Sequence, residues 1–259
     1  MRMMKKVLGT VTVLALSVSL LAGCGSTAAS PVSSAASTAA ESTTSSVVSE
    51  TTSAAADENV AAAAQLLNDL TGSYQELWPV ILADEYKQTW LDDCTALVGE
   101  DNAEAAFEKL SSMVTGDVYG EDAVKAYANG GGAYFCGFTN SLAILTFDGE
   151  TSTISGTDKD GNVLFSHTYH YIGMEPVRGL YEFESDDADS GEFTYFFLAP
   201  DTSAETYHIE FRYGSDADAL SQYDAGDYAY WLASGISTDC DQTMIDNCIE
   251  LFCTENLAG

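Results

Sequence analysis

The pattern of apolar and polar positions changes character twice along this chain of 259 residues. From Asn59 to Leu70, Ala and Leu recur at helical intervals on one face, which predicts an amphipathic helix. Apolar residues at helical spacing continue from Leu77 to Leu97, with Pro79 near a helix start. Ala105, Phe107, Leu110 and Met113 predict a further helix over 103–113. Beyond Gly130-Gly131-Gly132 the texture becomes that of strands. Ala143 to Phe147 runs into the turn Asp148-Gly149; Thr151 to Ser155 follows, then a second turn at Asp160-Gly161-Asn162. Val163 to Tyr171 reads as a long strand, and Leu180–Glu184, Phe193–Leu198 and Tyr207–Tyr213 as three more. Met244 to Leu251 returns to helix. Short strands joined by Asp-Gly turns predict an antiparallel meander, closed as a small barrel or sandwich, with helices at both ends. Residues 58–259 form one domain of about 200 residues, large enough for a proper core.

The segment ahead of that domain is different. Residues 25 to about 57 are nearly all Ser, Ala, Thr, Val and Glu, too poor in large apolar groups to offset the entropy of ordering; a disordered linker over 24–57 is expected. At the start, Arg2, Lys5 and Lys6 precede an apolar run from Val7 to Leu21 that is short for a membrane span. It ends in Leu20-Leu21-Ala22-Gly23-Cys24, which resembles the bacterial lipobox. The resemblance implies a lipoprotein signal peptide over 1–23 and lipidation of Cys24 as the mature N-terminus. The protein would then be extracytoplasmic and anchored to the cell membrane. Each acyl CH₂ contributes roughly 0.8 kcal/mol to such anchoring.

Charge narrows the choice of partners. The chain carries 9 Lys+Arg against 40 Asp+Glu, a net charge of −31. Without the three leader cations the mature chain is near −34, which repels nucleic acid and anionic membrane surfaces. Besides Cys24 there are five cysteines, Cys94, Cys136, Cys240, Cys248 and Cys253, an odd number with no C-x-x-C spacing. Cys240, Cys248 and Cys253 fall on what reads as a C-terminal helix. Buried thiols, or a bridge to another element, are the expectation. No Gly-x-Ser-x-Gly, His-Glu-x-x-His or phosphate loop is present, so no enzyme class is indicated. The 14 Tyr and 11 Phe stand at strand spacing and read first as a barrel core.

The order of the segments resembles the ZinT (YodA) family of zinc-binding domains, over roughly Leu70 to Leu251. The resemblance is carried by Leu70-Thr71-Gly72-Ser73-Tyr74-Gln75-Glu76-Leu77-Trp78-Pro79, Phe138-Thr139-Asn140, Tyr169-His170-Tyr171-Ile172-Gly173, Arg178-Gly179-Leu180-Tyr181-Glu182-Phe183-Glu184 and Asp227-Tyr228-Ala229-Tyr230-Trp231. It implies a mainly β fold, a lipocalin-like (calycin) antiparallel β-barrel with flanking helices. It also implies zinc as the ligand, a role in metal acquisition or homeostasis, and a metal-uptake transporter as a partner.

The family's site is three histidines on adjacent strands. Aligned without gaps, its His-x-His falls on His208-Ile209-Glu210 and its earlier histidine on Ala199. One imidazole is kept, one is replaced by a carboxylate and one is lost. His208 and Glu210 share a strand face and can both ligate zinc, but two protein ligands are too few for tight binding. His167 or His170 could complete the set; three residues apart on a strand, they face opposite sides, so at most one points into the barrel. Arg212 shares the face of His208 and Glu210, and a solvent-side Glu-Arg pair beside a surface His would leave the same pattern. In that case the barrel is metal-free and serves as an interaction module or a holder of an apolar ligand. The acidic runs Asp186-Asp187-Ala188-Asp189-Ser190-Gly191-Glu192, Asp216-Ala217-Asp218 and Asp239 to Asp241 lack calcium-loop spacing and read as solvated turns.

Overall fold

The computed structural model describes residues 58–199 and 208–258. The expected signal peptide and linker, and Cys24 with them, lie outside the described residues. Eight strands make a closed antiparallel barrel in simple meander order: β1 (Gly72–Glu76), β2 (Ile144–Asp148), β3 (Thr153–Thr157), β4 (Val163–Met174), β5 (Tyr181–Ser185), β6 (Tyr195–Leu198), β7 (His208–Gly214) and β8 (Ala233–Ser237). Closure comes from β8 pairing back onto β1, with Tyr74 opposite Ser237. The calycin-like expectation holds: every strand pairs with its chain neighbour, so no sheet edge is left open.

The alternation read from the sequence is the alternation of the wall. Phe147, Ile154, Phe165, Tyr169, Phe183, Phe196, Phe211 and Tyr213 point inward and are buried. Register confirms the shared side: Phe147 lies opposite Ile154, Phe183 opposite Phe196, and Phe196 opposite Tyr213. An eight-stranded barrel is just wide enough for side chains to fill it, and here rings do. Phe165 stacks on Phe193 at 4.0 Å and Phe193 on Tyr213 at 5.5 Å.

Helix α1 (residues 58–69) turns Ala63, Leu66 and Leu67, with Leu70 just beyond it, into this barrel core. The approach is close enough to require glycine in the β2–β3 turn, where a Cβ on Gly149 would stand 2.4 Å from Asn68 Cα. Between β1 and β2 the chain inserts α2 (Leu77–Ile81), α3 (Lys87–Val98), α4 (Glu100–Val114) and α5 (Glu121–Ala128). A short α6 (Ala217–Leu220) follows β7, and α7 (Gln242–Leu257) ends the described chain. Helices α2, α3, α4 and α7 form a second core outside the wall around Trp78, Ile81, Trp90, Cys94, Leu110, Ile249 and Cys253, with Ile236 of β8 facing it.

The structure departs from the sequence pattern at five places. Gly72–Glu76 and Ala233–Ser237 are strands, although each carries only one large apolar residue. Glu121–Ala128 is a helix that the pattern did not announce. The single helix expected over 77–97 is two, separated by a turn at Leu82–Tyr86. The Trp90 indole N–H donates to the Ile81 carbonyl at 2.7 Å, which folds α3 back onto the end of α2. Cys240 lies in the loop before α7, not on it; Asp241 caps the helix by accepting from the Met244 N–H at 3.0 Å. No helix among the described residues is long and apolar enough to cross a membrane.

Candidate metal-binding site

The site begins with the pleat of β7. Ile209, Phe211 and Tyr213 take the inner side, so His208, Glu210 and Arg212 take the outer. Across the wall His208 is opposite Ile236 and Glu210 opposite Ser234. Facing outward does not mean facing water here, because helices cover this part of the barrel. His208 and Glu210 are half-buried and line a cleft of about 70 Å³ with Leu77, Trp78 and Ile81 of α2 and Cys248, Leu251, Phe252 and Glu255 of α7. The α7 contributors are spaced at i, i+3, i+4 and i+7, one face of a helix. Trp78 and Phe252 meet edge to face, 4.7 Å between centroids, and close the cleft with apolar surface.

Arg212 does not make the solvent-side pair of the alternative reading. It is fully buried beneath the segment that follows β7. Its guanidinium donates to the carbonyls of Leu220, Gln222 and Tyr228 and lies 4.3 Å from the Tyr223 ring. Burial pulls its pKa below the usual arginine range, opposed by the neighbouring Tyr223. The outer face of β7 is thus covered at both ends, by α2 and α7 over His208 and Glu210, and by residues 217–228 over Arg212.

His167 and His170 are held elsewhere. Both sit on β4, which β5 and β6 separate from β7. His167 is on the inner face, opposite Ile154, with Nδ1 2.7 Å from Asp187 Oδ2. His170 is on the outer face, exposed, with Nδ1 2.8 Å from Asp186 Oδ1. The strand geometry therefore divides the pair as the spacing requires, and brings neither to β7. Among the described residues no group of three or more His, Cys, Asp and Glu already converges as a metal centre. The acidic runs find local uses: Asp186 and Asp187 face the two histidines, and Asp216 caps α6 through the Ala219 N–H.

Two residues of this neighbourhood were not legible as site residues. Glu255 and Cys248 come to the cleft only through the docking of α7. Ala199, where the family resemblance places a histidine, donates its N–H to the Glu210 carbonyl at 2.9 Å and so stands directly beside Glu210 on the wall. The thiols differ from the carboxylates in readiness. Burial, with the Glu210 charge nearby, pushes Cys136 up to about 12. Burial likewise raises Cys248 to about 12. Both stay protonated at neutral pH.

No protein-family model and no curated protein matches the chain. Among solved structures, the Zn(II)-bound ZinT-like domain of Streptococcus pneumoniae AdcA aligns with a TM-score of 0.45 at 15% identity, over 71% of this chain and 89% of that domain. Zn(II)-bound AdcA from the same organism aligns at 0.43 and 14% identity over 72% of this chain, which spans 35% of AdcA.

Proposed function

We propose that this protein binds a divalent metal ion, zinc before others, in the cleft between β7, α2 and α7. The observation that carries the reading is that His208 and Glu210 share one small cleft with Glu255, walled by Leu77, Trp78, Ile81, Leu251 and Phe252. One imidazole and two carboxylates suit zinc, which accepts N and O donors and works with three protein ligands and an open position. Calcium and magnesium prefer all-oxygen shells, so an imidazole in the set argues against them. The donors fit in kind, and binding must bring them together around the ion; Glu255, solvent-exposed yet on the α7 face that lines the cleft, supplies the donor from the rim. Cys248 is the poorest candidate, since a metal would have to displace a thiol proton held by burial.

Low dielectric around the donors strengthens each ligand bond, and the apolar rim limits water access. A filled barrel interior leaves an apolar ligand no favoured place, so the cleft is the better site. In the same reading, Cys24 carries lipid and tethers the barrel outside the cytoplasm, a position suited to collecting zinc for an uptake transporter. No catalytic step is assigned.

Calorimetry on chelator-treated protein tests the site. Zinc should bind in the micromolar range or tighter, weaken at least tenfold in His208→Ala, and weaken as pH falls through the imidazole range, about 6.5. An isotherm unchanged by His208→Ala and by Glu210→Gln would remove the cleft from consideration. Incorporation of labelled palmitate, lost in Cys24→Ser, tests the anchor.

A further inference from the structure

We propose that Cys94 and Cys253 form an intrachain disulfide that fastens α7 to α3. The two sulfurs lie 4.0 Å apart, in van der Waals contact, although 159 residues separate them in sequence. Both residues are fully buried in the helical core. Bonding requires the sulfurs to close from that contact to about 2.05 Å. Cys94 is in the middle of α3 and Cys253 in the last turns of α7. Phe252, next to Cys253, packs edge to face on Trp90 at 6.0 Å, so the same interface that brings the rings together brings the sulfurs together. Cys136, Cys240 and Cys248 are unbridged, as are these two in the present state.

Two further observations favour a covalent tie at this seam. Acidic residues of both α3 and α7 flank this apolar seam. Burial and the charges of Glu250, Asp246 and Asp92 push Asp93 above the usual carboxylate range, and one of its oxygens is buried without a partner among the described residues. A cross-link would hold the helices together against that repulsion. Secondly, α7 supplies four of the nine cleft residues, so its attachment fixes nearly half of the cleft wall.

Burial keeps both thiols protonated, which makes them slow to react in the folded state. The bond therefore forms while the chain folds, by exchange with a small-molecule disulfide. The thiolate of one cysteine attacks a sulfur of the oxidant and expels one thiolate of it, giving a mixed disulfide. The second cysteine loses its proton and displaces the other half. Two protein thiols are oxidised, one oxidant disulfide is reduced to two thiols, and the thiol protons end on the leaving thiolates.

The test uses the full chain, unfolded and reduced, then refolded in a mixture of reduced and oxidised glutathione. Trapping of free thiols by alkylation under denaturing conditions should show four in place of six. Cleavage after glutamate separates Cys253 from Cys248 at Glu250, and should give a peptide containing Cys94 joined to one containing Cys253. Reductant should lower the melting temperature of the oxidised wild type and leave Cys94→Ala/Cys253→Ala unchanged. Six alkylated thiols, or a cross-link through any other cysteine, would overturn the assignment. The result does not depend on metal binding, which is measured separately.

Discussion

Arg212→Met is the sharpest test of how the wall of this barrel is covered. The substitution keeps an apolar stem of similar reach and removes the guanidinium. Three carbonyls, of Leu220, Gln222 and Tyr228, then lose their donor inside the protein. A buried acceptor left unsatisfied costs about 1–3 kcal/mol, and the stacking of the cation on Tyr223 adds up to about 2 kcal/mol. Against this stands relief from holding a charge out of water, worth several kcal/mol. The Nε of Arg212, buried without a partner among the described residues, shows that the charge is not ideally solvated to begin with. Three acceptors at about 1–3 kcal/mol each, with the lost stacking and set against that relief, leave a net destabilisation of about 3–5 kcal/mol. For a domain of this size, 1 kcal/mol moves the midpoint by about 2–4 °C, so a fall of roughly 6–20 °C is expected. Thermal and urea unfolding followed by circular dichroism would measure it. Hydrogen exchange should show residues 217–228 opening first. A midpoint within about 2 °C of wild type would mean that the carbonyls re-satisfy themselves and that the guanidinium does not hold this cover in place.

Two other perturbations probe the helical seam and the cleft. Asp93→Asn should raise the melting temperature at pH 7, because the folded-state pKa of Asp93 is raised by burial and by Glu250, Asp246 and Asp92. A carboxyl raised in the folded state costs stability when ionised, so the advantage of the amide should shrink as pH falls and vanish below about 3.9, where wild type is protonated in both states; a gain that persists there contradicts the repulsion. Ala199→His should tighten zinc binding at least tenfold in calorimetry, since it sets an imidazole beside Glu210 across the β6–β7 ladder. Unchanged affinity would indicate that zinc, if bound, sits away from this part of the wall.

Legibility followed the strength of the local pattern. Five of the six strands read from the sequence, and the main helices, were marked by alternation and period because each carries several large apolar residues, as in Phe196-Phe197-Leu198 or Leu66-Leu67-Leu70; β3, with Ile154 alone, was marked by the two turns that bound it. The two strands that close the barrel were not. Gly-Ser-Tyr-Gln-Glu and Ala-Ser-Gly-Ile-Ser owe their state to partners on either side, and at Gly235 a Cβ would press on Ile209 and Phe138 at 3.2 and 3.3 Å. Arg212 shows the same limit for side chains. Alternation placed it correctly on the outer face, yet only the fold shows that residues 217–228 lie over it.

By itself the sequence determined which residues of β7 look inward, since a pleated strand admits one assignment once Ile209, Phe211 and Tyr213 are apolar. It also settled that His167 and His170 cannot share a face. What covers the outer side was decided by the tertiary structure: docking of α2 and α7 turns His208 and Glu210 into the lining of a cleft, adds Glu255 to it, and brings Cys94 against Cys253. The physical reason is that facing is a property of neighbouring residues, whereas burial and convergence depend on segments far away in the chain, and no periodicity records where those will pack.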